Sequence, residues 1–365
     1  MLKGANAPLR ILGGGTCAAV GNPVAGRPLS VAGLAGITLY EPGALTLVAR
    51  AGTPLAEIEA TLAAEGQMLA FEPPDWRRLM GSGGAATIGG TVAMNRSGPR
   101  RVAAGAARDM LLGLRFVTGT GSIVKSGGRV MKNVTGYDLA RLVAGSHGTL
   151  GVITEVALKV LPRPEAAATL VLHGLDDARA VAAMTAALAT PWEVSGAAHL
   201  PQGPWDGPAT LLRLEGRAAA LAGRRGKLAR HLAAHGEITI LDDPDRIAAL
   251  WADVAAAGPL ADRPGDVWRV ILRPTDAPAA LAAVRPAAHL IDWGGGLVWM
   301  LVTPGRDIRP ALAGLPGHAR LIRAAAETRT RIGAFPPESP DVAALSAGLR
   351  ARFDPRGILN PGLMG

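Results

Sequence analysis

The sequence predicts an α+β protein with two domains and a C-terminal tail. Three observations support this prediction: a length of 365 residues, a glycine-rich first part, and an alanine-rich second part in which helices alternate with short strands. At about 150 residues per domain, the length allows roughly two domains. Hydrophobic residues make up 49% of the chain and charged residues 18%. The chain can therefore form sizeable cores and is not expected to be disordered.

The first predicted domain, residues 1–164, consists of β-like runs separated by glycine clusters. We expect strands at 45–51, 112–118 and 151–161. One helix interrupts them. Thr53 can cap this helix and Pro54 can occupy its first position, while Leu55, Ile58 and Leu62 share one face and Gly66 ends it.

The second predicted domain, residues 165–335, follows a proline-rich boundary at 162–164. Helices are expected at 176–188, 217–235, 246–257 and 277–288, and strands at 169–172, 210–214, 267–272 and 297–302. This alternation predicts helices packed on a mostly antiparallel sheet. The tail, residues 336–365, should begin with a helix that starts at Ser339-Pro340 and runs to about Arg352.

Composition narrows the classes of function and location. The formal net charge is +9, but aromatic residues account for only 4% of the chain, too few for a surface that stacks single-stranded nucleic acid. We therefore expect no nucleic-acid partner, and an acidic partner or an anionic small molecule fits better. The single cysteine, Cys17, excludes an internal disulfide and a cysteine-ligated iron–sulfur cluster. No apolar run reaches the ~18 residues of a membrane span and no secretory signal is seen, so we expect a cytoplasmic protein.

Four glycine-rich motifs carry the candidate chemistry. The first, Gly13-Gly14-Gly15-Thr16-Cys17, follows a short strand, and its backbone N–H groups can converge on one anion such as a pyrophosphate. It is neither a Walker A loop nor a Rossmann fingerprint, and by itself it is compatible with a plain turn. The second motif, 86–98, allows a flat ring or a phosphate to approach the backbone closely, although a tight packing loop would look the same. The third motif spans 131–139 and 143–154, and the fourth spans 353–362.

Taken together and in this order, the motifs resemble the FAD-binding proteins of the vanillyl-alcohol oxidase/PCMH type. Within that group the best match is the FAD-binding subunit of glycolate oxidase (glycolate dehydrogenase). The segments Glu72-Pro73-Pro74, Lys132–Leu139 and Asn360-Pro361-Gly362 make the set specific. The resemblance implies a PCMH-type bipartite FAD-binding domain that is closed by the tail, with a smaller α/β, ferredoxin-like cap domain.

The resemblance also implies a set of FAD-binding residues, whereas it assigns no catalytic residue. Those that would hold the pyrophosphate are Gly13, Gly14, Gly15, Thr16 and Cys17. Those that would line the pyrophosphate and flavin channel are Pro74, Ala86, Thr87, Gly89, Gly90, Asn95 and Gly98. Those that would contact the adenine–ribose end or the pyrimidine edge are Gly151, Val152 and Ile153, and Asn360 would return toward the isoalloxazine. Relatives with covalent flavin attach it through a histidine in the first glycine loop, and this loop has none, so FAD should be non-covalent.

One departure from the family pattern bears on activity. Relatives that oxidise 2-hydroxy acids themselves carry two histidines that hold a divalent metal, and the corresponding stretch here, 292–299, has neither. We therefore expect no metal and an FAD-dependent 2-hydroxy-acid oxidoreductase subunit that is inactive alone. Its implied partners are a second FAD-binding glycolate oxidase subunit and an iron–sulfur subunit, which could also attach it peripherally to the inner face of the membrane. The substrate, a small 2-hydroxy acid, would be handled at the level of the complex.

Two other interpretations stay open at this point. The chain could be a stand-alone FAD-dependent oxidoreductase that acts on another hydroxy acid or alcohol, or a non-catalytic structural subunit with weak FAD binding. Six arginines between 306 and 331 could dock an acidic partner or form an ordinary solvated surface. The tryptophans of the second domain are interpreted as core or interface residues.

Overall fold

The computed structural model describes residues 2–128 and 136–365, so part of the segment Lys132–Leu139 lies outside the described residues. Its strands are β1 Leu9–Leu12, β2 Arg27–Ser30, β3 Ile37–Glu41, β4 Thr46–Arg50, β5 Gln67–Met68, β6 Leu111–Val117, β7 Ile123–Gly127, β8 Val152–Lys159, β9 Leu161–Pro162, β10 Ala166–His173, β11 Val194–Leu200, β12 Ala209–Gly216, β13 Ile238–Leu241, β14 Asp266–Leu272, β15 Ala288–Asp292, β16 Leu297–Val302 and β17 Gly317–Arg323. Its α-helices are α1 Leu55–Ala64, α2 Arg77–Met80, α3 Ile88–Met94, α4 Arg101–Ala104, α5 Leu139–Val143, α6 Asp177–Leu188, α7 Ala218–Leu232, α8 Pro244–Ala255, α9 Gly258–Ala261, α10 Ala277–Val284, α11 Ala326–Ile332 and α12 Pro340–Phe353.

The N-terminal part is organised around a five-stranded antiparallel sheet with the order β3-β4-β8-β6-β7. Its three long strands confirm the strands expected at 45–51, 112–118 and 151–161. Helix α1 buries Leu55, Ile58 and Leu62 as expected. The prediction that Thr53 caps the start of α1 is wrong. Its hydroxyl accepts from the Gly36 N–H and donates to the Arg50 carbonyl, so it does not accept from an N–H group of the helix.

The second part contains an eight-stranded sheet with the order β13-β10-β12-β11-β15-β16-β14-β17, in which every pair is antiparallel. Strands β10 to β13, with α6 and α7, have the βαββαβ order of a ferredoxin-like unit. Strands β14 to β17, with α10, repeat that order, and a short 3₁₀ turn replaces the second helix. The sequence therefore predicts the fold class correctly, and the structure shows two such units side by side.

Helix boundaries in this part follow local chemistry. Helices α6 and α8 begin directly after Asp176 and Asp243, whose carboxylates accept from backbone N–H groups of the first turn. Helix α10 ends four residues before the expected position 288. The next residue, Arg285, adopts a left-handed conformation with φ of 50°, and Pro286 then follows, which disfavours a further helical turn.

The two faces of the eight-stranded sheet have different neighbours. One face packs against α6, α7 and α10. The other carries Trp299 and Leu301 and faces the N-terminal part, where it contacts Val20 and Trp76. The Trp76 and Trp299 rings meet edge-to-face with centroids 5.4 Å apart. An apolar seam therefore joins the eight-stranded sheet to loop residues of the N-terminal part, and the cavity described below lies beside it.

The tail returns to the N-terminal strand. The Leu9 N–H donates to the Ile358 carbonyl at 2.7 Å, and the Asn360 N–H donates to the Leu9 carbonyl at 3.0 Å. Helix α12 begins at Pro340, as expected, and Phe353 at its end contacts the ring of Phe116.

The strands of the five-stranded sheet end at 159 and those of the eight-stranded sheet begin at 166, on either side of the expected boundary at 164/165. The division into domains remains a prediction. Among residues 2–128 and 136–365, no helix combines the length and apolar character needed to cross a membrane.

Candidate cofactor-binding site

A cavity with a volume of about 360 Å³ lies where β1 ends. That volume lies within the range of roughly 300–1,000 Å³ that is usual for ligand pockets. Its wall includes the first glycine motif, the start of α3, the loop before β8, helix α11 and the tail. Five segments that are far apart in the sequence therefore converge on one space.

The glycines of the first motif permit a close approach between two loops. A Cβ atom on Gly14 would lie 1.6 Å from the Ala85 carbonyl oxygen, and a Cβ on Gly13 would lie 2.4 Å from Thr87 Oγ1. Gly15 has a φ of +79° and open space around it. The motif is therefore not a free-standing turn. It is packed against the second glycine motif, and Gly14 is required by that packing rather than by the ligand side.

Three arginines give the cavity a positive wall. Arg10, Arg96 and Arg329 all line it, and no aspartate or glutamate is among its lining residues in the described chain. Arg329 is buried, its Nη1 donates to the Gly21 carbonyl at 2.8 Å, and its Nε has no partner within the described residues. Burial, followed by the charge of Arg10, lowers the pKa of Arg329. A buried cationic group without a carboxylate partner fits an anionic ligand.

Cys17 lies against the second of these arginines. Its Sγ is 3.1 Å from Arg96 Nη1, and Arg96 Nη2 donates to Thr91 Oγ1 at 3.1 Å. Burial raises the pKa of the Cys17 thiol, although the Arg96 charge opposes that change. The thiol is thus held as a small neutral group in the cavity wall.

Asn360 connects three segments behind the cavity. Its Oδ1 accepts from the Ile11 N–H at 2.8 Å and its Nδ2 donates to the His147 carbonyl at 2.8 Å. His147 is buried with a φ of 53°, and its Nε2 accepts from Arg320 at 2.6 Å. Burial, followed by the charge of Arg320, lowers the pKa of His147 well below its usual value, so the ring is neutral. Asn360 therefore fixes the geometry of the wall with both ends of its amide.

The structure brings most of the expected site residues to this cavity. Those that line it are Gly13, Gly14, Gly15, Thr16, Cys17, Thr87, Gly89, Gly90, Gly151, Ile153 and Asn360. Those that it does not place there are Pro74, Ala86, Asn95, Gly98 and Val152.

Other contacts account for these five positions. The Ala86 carbonyl accepts from the N–H at the start of α1, and Asn95 caps the end of α3. Gly98 lies beneath the eight-stranded sheet, where its carbonyl accepts from Trp293 Nε1 at 3.1 Å. Pro74 is buried, and Val152 belongs to the core of the five-stranded sheet. Their role toward a ligand stays a prediction.

Sequence reasoning missed the charged part of the site. Arg96 lies inside the second motif, 86–98, and Arg10 lies three residues before the first motif, so their positions were a usable signal. His147 lies inside the third motif. Arg329 had no such signal, because it is one of the six arginines between 306 and 331 that could equally have formed a solvated surface. Only the position of α11 in the folded chain brings it to the cavity.

A second polar network joins the two sheets. The Glu72 carboxylate accepts from Arg213 Nη1 and Nη2 at 2.7 and 2.8 Å and from Arg100 Nη2 at 3.0 Å. The Arg100 backbone N–H donates to the same carboxylate at 2.6 Å. Arg213 and Arg100 also contact Glu215 on β12. Although burial raises the pKa of Glu72, these partners outweigh it and the pKa is lowered. Glu72 is thus a charged link between the N-terminal part and the eight-stranded sheet.

The stretch in which some relatives would carry metal histidines forms a turn between β15 and β16. Asp292 is buried there and accepts from the Trp293 N–H at 2.7 Å. Burial raises its pKa to about 7, and the negative charge of Glu72 adds to this increase. Within the described ranges no group of three histidine, cysteine, aspartate or glutamate side chains is arranged to hold a metal ion.

The cavity fits FAD on two observations. Close-packed glycine backbone at the end of a strand lies beside three arginines, with no acidic side chain among the described lining residues, and this combination suits a pyrophosphate. Apolar side chains of Ile11, Val31, Met94 and Ile153 line the rest of the wall and suit flat rings. Residues 1–127 match the family described as "FAD binding domain". The fold and the site therefore define a member of the FAD-dependent oxidoreductases of the PCMH type.

Comparison with known proteins narrows this class. The chain is 37% identical over 359 residues to the glycolate oxidase subunit GlcE of Escherichia coli, which covers 98% of this chain and 92% of that protein. It is 44% identical over 100 residues to the glycolate oxidase subunit GlcD of Bacillus subtilis, covering 27% of this chain and 20% of that one. The chain belongs to the family of the glycolate oxidase subunit GlcE.

Solved structures agree on the fold. A p-cresol methylhydroxylase with bound substrate superposes with a TM-score of 0.71 at 14% identity, covering 98% of this chain and 84% of that chain. An alkyldihydroxyacetonephosphate synthase superposes with a TM-score of 0.67 at 17% identity, covering 97% of this chain and 72% of that chain. At these identities the likeness concerns the fold alone.

Proposed function

We propose that this chain is the FAD-carrying subunit of a multi-subunit complex that oxidises glycolate or a related 2-hydroxy acid. The observation that carries the proposal is the cavity at the end of β1, in which close-packed glycines meet three arginines and, among the described residues, no acidic one. The match to a named glycolate oxidase subunit over nearly the whole chain supports the substrate class.

The residues of the chain have distinct tasks in this proposal. Backbone N–H groups of 13–17 and the guanidinium groups of Arg10 and Arg329 would hold the pyrophosphate. Asn360 and His147 would keep the tail and the loop before β8 in place around it. When bound, FAD supplies the capacity to take up the two electrons lost when the hydroxyl carbon is oxidised. The protein would position FAD through these groups and surround its rings with the apolar side chains of the cavity wall.

The partners and the division of labour are also part of the proposal. The single cysteine cannot hold an iron–sulfur cluster, so electrons would pass on through a separate iron–sulfur subunit. A second FAD-binding subunit would supply the metal histidines that the stretch at 292–299 lacks. Peripheral attachment to the membrane would come through those partners.

Activity of the isolated chain tests this division of labour. We expect the purified chain to contain FAD but to reduce a dye with glycolate or D-lactate at least 100-fold more slowly than the co-expressed complex, with or without added zinc or manganese. Positioned acid–base groups contribute typically 10²–10⁴-fold, and a metal contributes further. Turnover by the lone chain within tenfold of the complex would favour the stand-alone oxidoreductase. A colourless chain would favour the non-catalytic structural subunit.

Matched variants test the site itself. Arg329→Gln removes the buried charge but keeps a donor for the Gly21 carbonyl, and we expect FAD to bind roughly 10- to 100-fold more weakly. Arg331→Gln is the control, because Arg331 is exposed and does not line the cavity. FAD titration of the apo chains measures both. Equal affinities of the two variants would show that the cavity does not hold the pyrophosphate.

A further inference from the structure

Helix α12 lies on the surface of the chain with its side chains uncovered. None of its 14 residues is buried, and its last residue, Phe353, packs against the ring of Phe116. Large apolar side chains are nevertheless exposed on it: Leu345 is 71% exposed, Val342 48% and Leu349 37%. Isolated helices of about this length are marginal in water, because most helical stability comes from tertiary packing. The exposed side of α12 is therefore a candidate contact surface.

The side of α12 that faces the rest of the chain is identified by Ala343 and Arg350. Both line a second cavity of about 540 Å³, whose wall also includes Pro336 and Pro337. Successive residues of a helix are about 100° apart. The row on the opposite side of α12, which we call the outer row, therefore consists of Asp341, Leu345, Gly348 and Arg352. All four are exposed, and a Cβ on Gly348 would meet nothing within 4 Å.

The outer row is complementary to itself in the antiparallel direction. Asp341 and Arg352 lie at its two ends, and Leu345 and Gly348 lie between them. When a second α12 is laid against the first in the reverse direction, one register places Asp341 opposite Arg352 of the second copy. The same register places Leu345 opposite Gly348 of the second copy, because the residue numbers of each pair add up to the same value. Opposite charges and a large side chain over a glycine thus fit in one register.

One flank of the outer row adds apolar contact. Val342 and Leu349 are seven residues apart, so they lie on the same flank of the helix. In an antiparallel pair related by a twofold axis, each helix meets the other with the same surface. Val342 of one copy then comes next to Leu349 of the other. The three exposed apolar side chains of α12 are all covered in this arrangement.

We propose that α12 is a self-association surface, through which two copies of this chain form an antiparallel twofold dimer. The cofactor cavity is lined by other segments, so this inference does not depend on the proposed function. One helix per copy gives an interface at the small end of protein–protein interfaces, and we expect a reversible dimer with a Kd of roughly 10–100 μM.

Two other occupants of this surface fit less well. Helices that lie on a membrane surface combine a basic polar face with an apolar face rich in Trp, Phe and Leu. Residues 340–352 include no aromatic side chain, and Asp341 lies in the outer row itself. A different protein would not require Asp341 and Arg352 to share one antiparallel register with the other two residues of the row.

Association of the full chain tests the proposal directly. The purified chain, with FAD added, is examined by sedimentation from about 1 μM to about 300 μM, a range that spans the expected Kd. We expect the mass of a monomer at the lowest concentration and mostly dimer at the highest. A monomer throughout this range would overturn the proposal.

Charge reversal tests the antiparallel register. Asp341→Arg brings two arginines opposite each other, and Arg352→Asp brings two aspartates together, so each variant alone should dimerise about tenfold more weakly. When the two variants are mixed, every one of these positions again faces an opposite charge. The mixture should therefore associate at least tenfold more tightly than either variant alone. A mixture without this gain would overturn the register and with it the proposal.

Two substitutions on the exposed surface separate a contact from a role within the single chain. Gly348→Ala should raise the thermal stability of the monomer, because alanine is the better helix former and the space is open. It should weaken the dimer at least fivefold, because the new methyl group would meet Leu345 of the second copy. Higher stability with unchanged association would overturn the proposal. Leu345→Gln should weaken the dimer at least tenfold, whereas the control Ala347→Gln, which is exposed away from the outer row, should not.

The other occupants are distinguished by the same Leu345→Gln variant. If the unmodified chain stays monomeric and this variant loses a subunit that co-purifies with the unmodified chain, α12 contacts that subunit. If the variant instead loses binding to vesicles of phosphatidylserine and phosphatidylcholine, α12 contacts a membrane. Either result would overturn self-association.

Discussion

Replacement of Gly14 by alanine tests whether the contact between the two glycine motifs shapes the cofactor site. A Cβ at this position would lie 1.6 Å from the Ala85 carbonyl oxygen, whereas real Cβ contacts essentially never fall below 3.0 Å. The loop must therefore move by about 1.4 Å, the difference between these two distances. The obstacle is backbone and not a flexible side chain, so the first glycine motif itself has to shift.

The expected loss follows from the hydrogen bonds that such a shift breaks. A hydrogen bond to a charged group contributes about 1.5–3 kcal/mol. If two backbone N–H groups lose the pyrophosphate, the affinity for FAD falls by about 3–6 kcal/mol, or roughly 10²- to 10⁴-fold. Gly15→Ala is the matched control. Its Cβ would meet nothing within 4 Å, so only the φ of +79° opposes the change, at a cost of about 1 kcal/mol.

FAD titration of the two apo variants, followed by flavin fluorescence, measures the difference. Thermal unfolding of both variants shows whether the fold is intact. Stoichiometric FAD in the Gly14→Ala chain with the affinity of the unmodified protein would refute the argument. So would an equal loss in both variants, because the steric contact exists at only one of the two positions.

Three further predictions concern charge and cofactor attachment. Glu72→Gln should lower the free energy of unfolding by about 3 kcal/mol at pH 7, because buried Arg213 loses its main counter-charge. The control Asp75→Asn removes an exposed ion pair and should lower it by under about 1 kcal/mol. Equal effects of the two variants in denaturant titrations would contradict the role of Glu72 as a buried link. Burial raises the pKa of Asp292 from 3.8 to about 7, so its protonated form stabilises the folded chain and that contribution is lost as pH rises from about 4 to 7. Asp292→Asn should remove this pH dependence and raise stability at pH 8 by up to about 4 kcal/mol, and an unchanged profile would refute it. Acid precipitation should release the flavin into the supernatant, because no histidine lies in the first glycine loop; colour that stays in the pellet would show a covalent link.

Much of the fold could be predicted from the sequence because its signals are local. The apolar face Leu55, Ile58 and Leu62 predicts a buried helix side, and carboxylates such as Asp176 and Asp243 begin helices through bonds within one turn. Glycine clusters indicate that another group comes close to the backbone at these positions, but they do not identify that group. The alternation of helices with short strands predicts the eight-stranded antiparallel sheet. These features depend on residues a few positions apart, so the chain alone determines them.

The tertiary structure decided which charged groups work together, because these contacts join residues far apart in the sequence. Arg329 and Gly21 meet across 308 positions, and Asn360 joins Ile11 across 349. Nothing local distinguishes Arg329, which is buried at the cavity, from Arg331, which is exposed two residues away. Burial and pairing change the energy of a charge by several kcal/mol, and both depend on packing between segments that are far apart in the sequence. The sequence by itself therefore determined where the glycine-rich loops are, and only the folded arrangement decided which arginines line the cavity.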